Sequence, residues 1–158
     1  MLPRRTFLVA AATALASRVT AVQAAPAPAI VISLSAQSLT AYQEGTPVLW
    51  TPVTTGRPGL ETPVGTTNVF YRSSPYLFIS PWPSGSVYWY PPSWVNFALE
   101  FRSGGYFVHD APWEPNWAFG QGSPYGAYAS HGCVHVPYNA MRFLYGWTPY
   151  GTAVTVTY

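Results

Sequence analysis

A chain of 158 residues with one cysteine, 8% charged and 17% aromatic residues is long enough to close one hydrophobic core. The absence of lysine, together with 17 prolines and 13 glycines, argues against a helical bundle or a charged disordered chain and fits short strands joined by tight turns. Of the seven arginines, Arg4, Arg5 and Arg18 lie in a segment that reads as removable; the remaining four face five carboxylates, a net charge of −1 that gives a nucleic-acid partner no electrostatic support.

That first segment carries Arg4-Arg5, an Ala-rich apolar run from Phe7 to Ala16, and small residues at Val22-Gln23-Ala24. This is the pattern of a signal peptide over residues 1–24. The apolar run is about ten residues, too short for a bilayer that needs about 20. Arg4-Arg5-Thr6-Phe7-Leu8 resembles a twin-arginine signal, departing from it at Pro3 and Val9, so the Tat and Sec routes both stay open. The expected localisation is outside the cytoplasm, in the periplasm or the cell-wall space. An exported chain with one cysteine forms no internal disulfide, and its lone thiol is a liability unless buried or used.

Residues 25–29 read as an Ala/Pro linker, and residues 30–158 as one domain. Ile30–Ser35 and Leu39–Tyr42 are rich in β-formers, with a turn at Ala36-Gln37-Ser38. Glu44-Gly45 marks a second turn before a strand from Pro47 to Thr54. Thr55–Gly59 is a loop, and Thr62-Pro63-Val64-Gly65 is a tight turn ahead of a strand from Thr66 to Tyr71. Ser73–Pro92 is dense in aromatics and prolines, which confines it to short strands and a loop. Its rings Tyr76, Trp82, Tyr88, Trp89 and Tyr90 can build a core or line a groove. Tyr106–His109 reads as a buried strand ending on a histidine. Ala111–Ala129 lacks periodicity and has the length of a lid or binding loop. Pro137 opens a helix with Ala140, Met141, Phe143 and Leu144 on its apolar side, ended by Gly146 or Pro149. Ala153–Thr157 is a terminal strand.

The chemistry gathers at Ser130-His131-Gly132-Cys133-Val134-His135. A nucleophilic cysteine needs a base, and the chain offers three: His109, His131 and His135. Gly132 permits an unusual backbone angle that can aim successive N–H groups at one point, as an oxyanion hole requires. A metal site drawn from the same residues is disfavoured, because alternate positions on a strand lie about 6.7 Å apart. No cofactor or metal is expected.

Ser130-His131-Gly132-Cys133 resembles the S/T-H-G-C signature of the L,D-transpeptidases, the YkuD domain. Ile30–Gly45 is similar to that family's opening hairpin. Thr54-Thr55-Gly56 with Glu61–Gly65 resembles its TG…TPxG segment, and Tyr106–His109 with Ala111-Pro112-Trp113 its upstream histidine strand and loop. The resemblance implies a mainly β sandwich of two curved mixed sheets with one or two peripheral helices. It implies an enzyme acting on peptidoglycan stems, Cys133 as nucleophile and His109 as base, with His131 and Gly132 shaping the oxyanion loop. Ser130, His135, Tyr106 and Trp113 are the candidate substrate-binding residues, and a monomer is expected. Hydrolysis at the same site and a silent wall-binding module are the alternatives. Three departures stand out: His135 where many members carry Arg or Asn, Asp110 where many carry Gly or Ser, and a Trp- and Tyr-rich interval between His109 and Cys133. Asp110 reads either as a surface turn residue or as a third member orienting His109.

Overall fold

Alternating apolar residues cut by Gly and Pro turns produce eleven short strands and one α-helix in a computed structural model that describes residues 27–158. The predicted leader and the first two residues of the predicted linker lie outside the described residues.

Strands β1 (Ala29–Ser33), β2 (Ser38–Gln43) and β3 (Thr46–Pro52) form an antiparallel meander. Glu44 and Gly45 turn the second hairpin with φ of 52° and 77°. The chain then contributes β4 (Gly65–Asn68), and at its end β11 (Ala153–Thr157) inserts between β1 and β4, parallel to the former and antiparallel to the latter. The second sheet has the order β10 (Val134–Val136), β9 (Tyr106–Asp110), β8 (Ala98–Arg102), β5 (Tyr71–Ser73), with β9 and β10 parallel. A separate pair, β6 (Tyr76–Phe78) and β7 (Ser93–Val95), brackets the aromatic loop.

The two large sheets share one core. Ile30, Ile32, Leu39, Ala41, Val154 and Val156 come from the first, and Leu99, Phe101, Val108, Val134 and Val136 from the second. Period-2 burial, as in iBiBi along β1, is what a half-buried strand requires. Helix α1 (Tyr138–Trp147) adds Met141 and Leu144, one turn apart on one face. The fold is the mainly β sandwich expected, with one α-helix and two short 3₁₀ turns, Asn116–Ala118 and Ser123–Tyr125.

Two stretches differ from the sequence reading. The strand expected at Thr66–Tyr71 is two strands in different sheets. Val69 N–H donates to the Thr152 carbonyl beside the first sheet, whereas Phe70 N–H donates to Glu100 in the second, so the chain changes sheet between them. No strand was expected between Pro92 and Gly105, where β7 and β8 lie. Phe97-Ala98-Leu99-Glu100-Phe101 mixes apolar residues on both faces because β8 is covered on both, Leu99 and Phe101 by the main core and Ala98 by a smaller cluster with Val95 and Phe107.

Candidate active site

The loop before β10 is held by side chains on both sides. Ser130 is buried; its hydroxyl accepts the Gly132 N–H at 3.0 Å and donates to the Cys133 carbonyl at 2.6 Å. Thr62, from the TPVG turn, donates to the Gly132 carbonyl at 2.9 Å and accepts the Gly56 N–H at 3.0 Å. Arg57 adds its backbone N–H and its Nε–H to the Ser130 carbonyl, and a terminal nitrogen to Ala129. The motifs far apart in sequence are thus partners in space. Gly132 has φ of +118°, and a Cβ there would lie 2.8 Å from the Tyr106 ring, so no other residue fits without movement.

This turn separates the three residues that looked like a metal site. His131 swings out between the rings of Trp82 and Tyr90, with centroids 5.4 and 5.1 Å away. Cys133 stays half-buried ahead of β10, its Sγ 3.4 Å from the Gly105 carbonyl. His135 lies in mid-strand, in register with His109 on the parallel neighbour, ring centroids 4.8 Å apart. Among the described residues no group of three His, Cys, Asp or Glu side chains is placed to hold a metal ion.

Cys133, His109, His131 and His135 line one cavity of about 330 Å³. Phe78, Tyr90, Trp113 and Tyr128 contribute aromatic rings to its lining, and Arg57 a positive charge. His109 is buried, and its Nδ1 lies 2.8 Å from the Asp110 backbone carbonyl. A carbonyl only accepts, so Nδ1 carries the proton and Nε2 is left with its lone pair. Burial, then the neighbouring His135, pushes the His109 pKa down to about 3. Burial also raises the Cys133 thiol to about 12, against a backbone hydrogen bond from Phe107 that lowers it. At neutral pH Cys133 and His109 therefore rest as thiol and neutral imidazole. Tyr90, pushed up to about 12 by burial first and then by Cys133, keeps its hydroxyl proton, which it donates to the Ile79 carbonyl at 3.4 Å.

The other candidates divide. Trp113 lines the cavity and sets its ring edge-on to His135, centroids 5.6 Å apart. Ser130 and Tyr106 do not line it: the hydroxyl of Ser130 is committed within the loop, and the ring of Tyr106 packs on Gly132. The Gly132 N–H, a candidate oxyanion donor, is taken by Ser130. Asp110 is neither a surface residue nor an orienting acid. Its buried carboxylate accepts the N–H groups of Asn96 and Phe97 and the Asn96 side chain, which ties the β7–β8 turn to the end of β9.

Sequence reasoning missed Glu114. It is buried, accepts the Thr54 hydroxyl, and sits 2.8 Å from His135 Nδ1. Burial raises it to about 7, against the hydrogen bond from Thr54, which lowers it. His135 is in turn pushed down to about 3, by burial first and then by His131 and Arg57. The available signal was a single charged residue in an otherwise uncharged stretch, 111–129.

A sequence model of the YkuD L,D-transpeptidase catalytic domain matches residues 27–156. The chain belongs to this family. The L,D-transpeptidase domain is also recognisable among solved structures. An L,D-transpeptidase from Mycobacterium smegmatis superposes with a TM-score of 0.74 at 25% identity, covering 83% of this chain and 58% of that one. L,D-transpeptidase 3 from Mycobacterium tuberculosis, solved with a faropenem-derived adduct, gives 0.72 at 25% identity, over 84% of this chain and 61% of that one. The catalytic domain of the Enterococcus faecium L,D-transpeptidase gives 0.68 at 27% identity, over 82% and 95%. The chain thus spans about three-fifths of the longer mycobacterial relatives and nearly all of the isolated catalytic domain. No curated protein sequence matches. Among the described residues no helix is long and apolar enough to cross a membrane.

Proposed function

We propose that this L,D-transpeptidase domain is an exported cysteine acyltransferase of peptidoglycan. Cys133 Sγ attacks the carbonyl of the third residue of a tetrapeptide stem, and His109 Nε2 takes the thiol proton. The C–S bond forms, the C–N bond to the terminal D-Ala breaks, and His109 returns the proton to the departing amine. The side-chain amine of a diamino acid on a neighbouring stem then attacks the thioester, making a 3→3 cross-link and restoring the thiol. The observation that carries this reading is the fixed tautomer of His109: with Nδ1–H committed to the Asp110 carbonyl, its basic nitrogen belongs to the cavity that holds the only thiol. Export is part of the proposal and rests on Arg4-Arg5 and the Ala-rich run behind them.

The test is covalent capture. The purified chain is incubated with faropenem and its intact mass measured. One adduct on the wild type, absent from Cys133→Ala, supports the proposal. No adduct, or equal labelling of both proteins, sinks it.

A further inference from the structure

Thr54, Glu114 and His135 form a closed unit, of which His135 lines the cavity. The backbones of Thr54 and His135 exchange hydrogen bonds of 3.1 and 2.8 Å, the Thr54 hydroxyl donates to one oxygen of Glu114, and His135 Nδ1 meets the other at 2.8 Å. A carboxylate accepts, so Nδ1 is the protonated nitrogen and Nε2 is free on a ring that lines the cavity. The thiol already has its base in His109. The mechanism above leaves this second histidine–carboxylate pair without a task.

The chemistry of the acceptor supplies one. Water has one proton to lose as it attacks a thioester, and His109 takes it. A side-chain amine arrives as an ammonium ion, with a pKa near 10.4, so only about one molecule in a few thousand is free amine at pH 7. One proton must leave before attack and a second during it, which calls for two acceptors.

We propose that Glu114, reached through His135, takes the first of these protons, making the site one that transfers to amines rather than to water. The ammonium gives its proton to His135 Nε2, and the Nδ1 proton passes to Glu114. The imidazole ends neutral in its other tautomer, Glu114 ends as a carboxylic acid, and the neutral amine attacks. His109 then takes the second proton as the C–N bond forms and the C–S bond breaks, and delivers it to Cys133 Sγ. The titratable and charged groups around His135 favour this direction: His109 on β9, His131 and Cys133 on the turn before β10, Arg57 on the loop after β3, and Glu114 on the loop after β9. Arg57 is a cation that disfavours a bound ammonium, and burial lowers an ammonium pKa while it raises that of a carboxyl, closing the gap between donor and acceptor.

The inference rests on Cys133 being the acylated residue, and one experiment separates the two. Glu114→Gln and His135→Asn are prepared, their folding is checked by circular dichroism, and each is given a tetrapeptide donor. Hydrolysed and amine-transferred products are counted by mass spectrometry from the same acyl-enzyme. At pH 7 the ratio of transfer to hydrolysis falls about a hundredfold in both variants when the acceptor is the stem amine. It recovers as the pH is raised toward the amine pKa. It does not fall when the acceptor is hydroxylamine, which is uncharged at neutral pH. An unchanged ratio, or an equal loss with hydroxylamine, overturns the relay while leaving Cys133 as the nucleophile. Absence of any acylation in the wild type overturns the functional reading itself, and the relay with it. Where one variant does not fold, the other alone decides.

Discussion

Replacing Thr62 with valine removes one hydroxyl and almost no volume, and it severs the link between the TPVG turn and the cysteine loop. Thr62 is buried and its hydroxyl serves two backbone groups, donating to the Gly132 carbonyl at 2.9 Å and accepting from the Gly56 N–H at 3.0 Å. Valine leaves both unpaired in a place where water has little access. Each orphaned group costs about 1–3 kcal/mol, so the pair predicts a loss of roughly 2–6 kcal/mol. For a domain of this size that lowers Tm by about 10 °C, at some 2–8 °C per kcal/mol. Calorimetry reads the stability, and the rate of faropenem labelling reads the placement of Cys133, whose carbonyl and preceding residue are gripped by the same set of bonds. Thr62→Ser keeps the hydroxyl and recovers most of both. If Thr62→Val melts within about 2 °C of the wild type and labels at the same rate, the hydroxyl does not couple the two loops and the reasoning fails.

Asp110→Asn separates the two jobs of one residue. The carboxylate bonds to Asn96 and Phe97 are weakened, lowering stability by about 1–3 kcal/mol in urea unfolding. The backbone carbonyl that fixes His109 is untouched, so labelling of Cys133 in the folded fraction stays near wild type; a collapse of labelling would restore the carboxylate as an orienting acid. Stability also depends on pH in a defined way. His109 and His135, held at about 3 against an ordinary 6.5, contribute stability that is complete above about 6.5 and lost as the pH falls toward 3. Glu114, raised from 4.5 to about 7, acts in the opposite sense between those values. Two histidines against one glutamate predict a loss of about 1.4 kcal/mol per pH unit from 6.5 to 4.5, roughly doubling below that. Urea midpoints measured from pH 7 to 4 test this, and a flat profile would count against neutral buried imidazoles.

The order of elements was legible because strand-forming residues and Gly/Pro turns act locally, and their spacing survives in the chain itself. The helix behind Pro137, the terminal strand and the long segment ahead of Ser130 all follow from such neighbours. What sheet each strand joins is a long-range choice, which is why Thr66–Tyr71 split and β8 went unseen. The site divides along the same line. Cys133, Gly132 and three candidate histidines were legible in residue type, and only the family resemblance singled out His109 among them. Only the tertiary structure decided what each nitrogen and oxygen faces. It turned His131 toward Trp82 and Tyr90, gave Asp110 to the β7–β8 turn and its carbonyl to His109, and set Glu114, 21 residues from His135 in the chain, against its ring. A hydrogen bond is fixed by a few tenths of an ångström and a direction, and neither is written in a residue's identity.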